Sequence, residues 1–137
     1  MRKMARLALF LIALLVVGGA AIACESNSTS SVDEDLVREY ADTATDTCLQ
    51  GLSDHDLARY TEHANEDFKA AVTQEELDAA ATRIDSQLGA YQTIEFLRAE
   101  EQEGYVIVHY RATYDKGEVG IRMVFDEDQL IAGQWFE

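Results

Sequence analysis

Cys24 carries the side chain whose setting points most directly to chemistry. Its thiol follows Gly18-Gly19-Ala20-Ala21-Ile22-Ala23, after an apolar run from Leu7 to Val17 and a basic start at Arg2, Lys3 and Arg6. That order is an export signal. Small residues running into a cysteine have the character of a lipobox, whose thiol accepts a lipid. Ala21 stands where such boxes usually carry Leu, while Ile22 and Ala23 fit. Two other readings stay open. Leu7 to Ala23 is 17 uncharged residues, just under the roughly 18–20 that span a bilayer as a helix. An ordinary signal peptide cut near Ala23 would instead leave a free thiol. All three place the remainder outside the cytoplasm, because the basic flank stays inside. The expectation is a leader over residues 1–23, a lipid on Cys24 and a tether over 24–32. A single domain over 33–137 then faces outward from the cell membrane.

The other reactive side chains offer less. His55 and His63 are eight apart among Asp54, Asp56, Glu62 and Glu66, without the i, i+4 spacing that sets two histidines on one metal. A solvated acidic face is the better reading. Asp42 and Asp46 lie one helical turn apart, as paired carboxylates for acid–base work would. Neither falls on the apolar stripe of its helix, so both read as surface charges. Asp126, Glu127 and Asp128 lack the alternating ligands and Gly of a calcium loop. Cys48 falls on an apolar stripe and reads as a small buried hydrophobe. There is no Gly-rich phosphate loop, no Gly-x-Ser-x-Gly elbow and no Cys-x-x-Cys. The expectation is no catalytic residue, no metal and no cofactor.

Charge narrows the partners. All 26 Asp and Glu follow Cys24, with eight of the 11 Lys and Arg, so the exported part carries −18. Such a surface repels nucleic acid and anionic headgroups. Three lysines in all, Lys3, Lys69 and Lys116, fit either a salt-adapted habitat or an acidic surface lipoprotein. The polar stretch Glu25-Ser26-Asn27-Ser28-Thr29-Ser30-Ser31 would let the domain stand off the membrane.

The elements that must position any site run helices first, then strands. Val37, Tyr40, Ala41, Ala44 and Cys48 recur at helical spacing and predict a first helix from about Val32 to Leu49, ended by Gly51. Ser53 is expected to cap a second helix from Asp54 to about Ala64. A loop follows, anchored by Phe68 and Val72. Thr73 and Glu76 form a capping box for a third helix that Gly89 closes. From Tyr91 the period becomes two. Strands are expected over Tyr91–Glu101, Tyr105–Tyr114, Glu118–Phe125 and Leu130–Phe136, as an antiparallel meander.

Turns set the registers. A three-residue loop at Gln102-Glu103-Gly104 puts Ile94 and Phe96 on one face with Tyr110 and Ala112, and Glu95 opposite Arg111 on the other. A two-residue turn at Lys116-Gly117 pairs Tyr114 with Val119 and Tyr110 with Met123. In the last hairpin, Gln129 in a left-handed conformation costs about 1 kcal/mol. That bulged turn faces Ile131, Gly133 and Trp135 inward. A four-residue loop would instead face Leu130, Ala132, Gln134 and Phe136 inward. The bulge is favoured because it buries Trp135.

The ending Val124-Phe125-Asp126-Glu127-Asp128-Gln129-Leu130-Ile131-Ala132-Gly133-Gln134-Trp135-Phe136 resembles that of exported prokaryotic proteins grouped as domain of unknown function 3887. Ser86-Gln87-Leu88-Gly89-Ala90-Tyr91-Gln92-Thr93-Ile94, Gly104-Tyr105-Val106-Ile107-Val108 and Tyr114-Asp115-Lys116-Gly117 match in character. The resemblance covers about Leu36 to Phe136, and Gln129 replaces the family's usual Gly. It implies an α+β fold similar to the nuclear transport factor two-like cone, with about three helices packed on a curved four-stranded sheet. That fold hosts isomerases, dehydratases, binders and interaction modules, so it does not choose a function.

Two surfaces are expected to matter. Tyr60, Phe68, Tyr110, Tyr114, Phe125 and Trp135 would line the cone's opening for a small apolar or aromatic ligand, or else simply fill the core. His109, Arg111, Arg122 and Glu95 would form an outward patch suited to pairing two copies through their sheets, or a wet sheet face. Arg111 and Arg122 are expected to lie across from each other, which is unfavourable without an intervening carboxylate. The function expected is a lipid-anchored binding or interaction module outside the cytoplasm. The alternatives are an accessory domain for a neighbouring envelope protein and a small isomerase- or hydrolase-type enzyme.

Overall fold

The computed structural model describes residues 31–137. Cys24 and the leader lie outside the described residues. Helix α1 (Glu34–Ser53) starts on the side chain of Asp33, which accepts from the N–H groups of Asp35 and Leu36. Its stripe of Val37, Ala41, Ala44, Thr45, Cys48, Leu49 and Leu52 is buried. The helix does not stop at Gly51. That glycine lies against the backbone of Arg59 and Tyr60, where a Cβ would collide, so it allows close packing rather than ending the helix.

The expected second helix is mostly turn. Helix α2 is only Leu57–Tyr60, capped by Asp56 rather than Ser53. Ser53 Oγ instead accepts from the N–H of Tyr91 at 3.2 Å. Where a loop was expected, Asn65 caps a short helix α3 (Glu66–Ala71). Helix α4 (Gln74–Leu88) has the expected capping box of Thr73 and Glu76, and Gly89 ends it at φ 78°. Among the described residues no helix is long and apolar enough to cross a membrane.

Strands β1 (Tyr91–Gln102), β2 (Tyr105–Tyr114), β3 (Gly117–Phe125) and β4 (Ile131–Phe136) form one open antiparallel sheet in the order β1-β2-β3-β4. The fold is α+β, with helices packed on one sheet face. Val108, Tyr110, Ala112, Ile121, Met123 and Phe125 meet α1 there and are almost wholly buried.

The registers differ from expectation in instructive ways. Gln102 pairs with Tyr105, so the first turn holds two residues, Glu103 and Gly104, at φ 54° and 84°. The ladder then slips by one between Phe96 and Arg98. The slip restores Ile94 opposite Ala112, Glu95 opposite Arg111 and Phe96 opposite Tyr110, the expected faces, by a shorter turn plus a bulge at Leu97. In the second hairpin Tyr114 pairs with Gly117, not Val119, and Tyr110 with Ile121, not Met123. The turn is Asp115-Lys116. An error of two residues leaves every side chain on its face, because the strand period is two.

The third hairpin corrects the expectation for Trp135. Gln129 is left-handed at φ 62°, as the bulged turn requires. Asp126 Oδ1 accepts from the N–H groups of Asp128 and Leu130. Partial burial acts to raise the pKa of Asp126, but Asn65 Nδ2 and those two N–H groups outweigh it and hold the carboxyl below its ordinary range. Ile131 opposes Phe125 and is buried, yet Gly133 opposes Val124. A second bulge at Ala132 thus turns the strand over. Gln134 and Phe136 join the inner face, and Trp135 moves to the outer one.

Candidate functional sites

The aromatic residues expected to line a cone's opening do not share a cavity. Tyr110 packs edge-on against Phe96, Tyr114 against Tyr91 and Phe125 against Tyr40. Tyr60 packs on Phe68 at 5.7 Å. Tyr110, Tyr114 and Phe125 fill the core, while Trp135 is 45% exposed on the opposite side of the sheet. Of the six, Tyr60 lines an open groove.

That groove has a volume of about 400 Å³ and runs between α2, the start of α4 and β4, over Leu52, Tyr60, Val72, Leu77, Ala80 and Phe136. The segment after α2 is held against β4, with Ile131 donating to the His63 carbonyl and Asn65 donating to the Ile131 carbonyl. This docking sets Tyr60 beside Gln134. The Tyr60 hydroxyl donates to Gln134 Oε1 at 2.8 Å, and Gln134 Nε2 is sealed from solvent with no acceptor. A buried donor left unpaired costs about 1–3 kcal/mol.

A second groove, of about 610 Å³, lies between α1 and β1 and is lined by Arg38, Asp42, Asp46, Glu95 and Phe96. The two aspartates are expected as surface charges; Asp46 is exposed and Asp42 partly so, and each also accepts a hydrogen bond from an inward tyrosine. Tyr110 donates to Asp42 Oδ1 at 2.9 Å and Tyr91 donates to Asp46 Oδ1 at 2.6 Å. Arg38 bonds Asp42 Oδ2 at 3.1 Å and lies over the Phe96 ring. Burial, then the neighbouring carboxylates, push both tyrosines well above their ordinary range. They stay protonated and serve as donors, not bases. The signal was available: an inward tyrosine needs an acceptor for its hydroxyl, and the helix packed on it offers these carboxylates.

The outer sheet face brings together the residues expected there. Arg111 Nη1 reaches Glu95 Oε2 at 3.2 Å, and its Nε is 3.9 Å from Glu118. Arg111 lies opposite Gly120 and Arg122 opposite His109, so the two arginines do not face each other across the strands as expected. Glu137 lies between His109, at 3.4 Å, and Arg122, at 3.8 Å. Glu100 sits 3.5 Å from His109 Nε2, within ion-pair reach but off hydrogen-bond geometry. The Arg122 guanidinium stacks 4.6 Å from the Trp135 ring centroid. That ring folds over Gly133, where a side chain would collide with it.

The remaining candidates stay apart. His55 pairs with Asp78 at 3.1 Å, and His63 lies 3.9 Å from Glu62. Burial pushes the Cys48 thiol far up, so it is no nucleophile. Among the described residues no three His, Cys, Asp or Glu side chains converge as metal ligands.

Comparison with known proteins adds a family and a fold. The family model described as "Protein of unknown function (DUF3887)" matches residues 46–133. An NMR structure of a protein from Ruminococcus gnavus ATCC 29149 is similar, with a TM-score of 0.53 at 18% identity. The likeness covers 76% of this chain and 90% of that one, and it speaks to the fold alone. No curated protein matches the chain.

Proposed function

The chain belongs to this family of proteins of unknown function, DUF3887, and from that premise we propose that it is a lipid-anchored interaction module outside the cytoplasm. Its contact surface is the outer face of the sheet. In this reading the lipid sits on Cys24, the polar stretch to Val32 is a tether, and the sheet and helices are a variant of the nuclear transport factor two-like cone.

One observation carries the proposal. The chain is strongly acidic, yet the outer sheet face sets Arg98, Arg111 and Arg122 against Glu95, Glu100, Glu118 and Glu137, around the exposed Trp135. Three of the eight basic residues that follow Cys24 gather on this one surface. A partner meets least repulsion where the charge is balanced. Exposed aromatic and arginine side chains are also what interface centres favour. A second copy fits the same description, because a face bearing both signs is self-complementary under a two-fold axis. A neighbouring envelope protein is the other partner of this kind.

Photo-crosslinking in native membranes tests this. A benzophenone amino acid at Tyr105 or Thr113, on the outer face, is expected to give a discrete crosslinked species. The same probe at Glu39 or Arg83, on the helical side, is expected to give none. The mass of the species separates a second copy from another protein. Equal labelling from both sides, or none from the sheet, would refute the proposal.

A further inference from the structure

We propose that the groove between α2, α4 and β4 binds an uncharged, largely apolar small molecule that carries a hydrogen-bond acceptor, taken up by the Gln134 amide NH₂. This site is separate from the outer sheet face and does not depend on it.

Three observations lead there. First, the groove is walled chiefly by Leu52, Val72, Leu77, Ala80 and Phe136, and at about 400 Å³ it has the size of small-ligand sites. The groove between α1 and β1 is walled by Arg38 and three carboxylates instead. Second, the floor holds an amide with one satisfied and one unsatisfied end. Gln134 Oε1 accepts from Tyr60, and Gln134 Nε2 has no acceptor. Buried polar groups are nearly always paired, so an orphan donor calls for a partner. The terminal torsion of a glutamine is soft, so the NH₂ can turn to meet an acceptor that enters beside it.

Third, the arrangement depends on the bulge at Ala132, which brings Gln134 and Phe136 inward. A strand continuing in register from Ile131 would have placed Trp135 there. Glu76 at the groove's edge and the chain's net charge of −15 disfavour an anion. The unpaired group in the groove, Gln134 Nε2, is itself a donor, so it meets an acceptor and offers a cation nothing. A neutral ketone, ester or amide on an apolar frame is the class that fits.

The test uses the full chain in lipid nanodiscs, titrated with cyclohexanone and followed by ¹⁵N and methyl NMR. A saturable shift of the Gln134 side-chain amide is expected, together with shifts at Val72 and Leu77. Gln134→Leu keeps the bulk and removes the donor, and it should weaken binding at least tenfold. Ala80→Phe should fill the groove and abolish the saturable shifts. The proposal fails if wild-type shifts are linear in cyclohexanone or miss Gln134. It also fails if both folded variants bind as the wild type does. The wild-type amide shift decides the matter even if a variant does not fold.

Discussion

The hydroxyl of Tyr110 donates to Asp42 Oδ1 at 2.9 Å, which ties the centre of the sheet to α1 across 68 residues of chain. A hydrogen bond to a charged group contributes roughly 1.5–3 kcal/mol when buried, and less where water reaches the carboxylate. Tyr110→Phe is expected to lower stability by about 1–2 kcal/mol. Asp42→Ala should cost at least as much, because it leaves a buried hydroxyl unpaired and releases Arg38. A double-mutant cycle by urea denaturation should return a coupling of about 1 kcal/mol or more. A coupling near zero would mean the contact is incidental.

Stability should fall on the alkaline side. Burial raises the pKa of Tyr60, Tyr91, Tyr110 and Tyr114 above their ordinary value, and that of Cys48 as well. The native state then holds protons that the unfolded chain has released. Their contribution is complete below about pH 8.5 for the thiol and about pH 10 for the tyrosines. It declines as pH rises towards the higher native values. Each such tyrosine removes up to about 1.4 kcal/mol per pH unit in that window. Thermal melts from pH 8 to pH 11.5 should show the decline, and Tyr114→Phe should make it shallower.

Two turns carry correctable strain. Glu103 and Gln129 have φ of 54° and 62°. A left-handed conformation costs a residue with a Cβ about 1–2 kcal/mol, part of which glycine's greater unfolded-state freedom cancels. Gln129→Gly is therefore expected to gain about 0.5 kcal/mol, and Glu103→Asn a similar amount by matching the preferred Asn-Gly turn. Chemical denaturation midpoints are the measurement. A loss in both would show that the side chains contribute more than the backbone strain removes.

Cys24→Ser tests the anchor. The expected outcome is an unmodified amino terminus by intact mass and release of the protein from the membrane fraction. Retention through an uncleaved leader would replace the lipid with a membrane-spanning segment.

The sequence showed faces better than it showed counts. Alternation placed Val108, Tyr110, Ile121 and Met123 inward correctly, although the second hairpin's register was off by two. The period of two protects a face from even errors only. The bulge at Leu97 and the two-residue turn at Glu103-Gly104 cancelled each other, so a wrong turn still yielded the right pairs. The bulge at Ala132 had no such compensation, and Trp135 ended on the other side. Bulges insert one residue without a compositional mark, which is why this one stayed hidden. The helices after Ser53 were illegible for another reason. Elements of four and six residues are too short to show a period, and Asp56 and Asn65 compete with Ser53 as caps. Of the candidate residues, Glu95, His109, Arg111 and Arg122 share the outer face, but Arg122 lies opposite His109 and not opposite Arg111 as the expected register had it. Asp42 and Asp46 did not read as partners, because a helix shows its own stripe and not the hydroxyls that dock beside it.

Trp135 is the chain's one tryptophan, and it lies outside the core, stacked on Arg122. Its ultraviolet emission is therefore a reporter of what happens at the outer surface. A spectroscopist watching that signal would register a guest arriving on the sheet before registering any loosening of the interior.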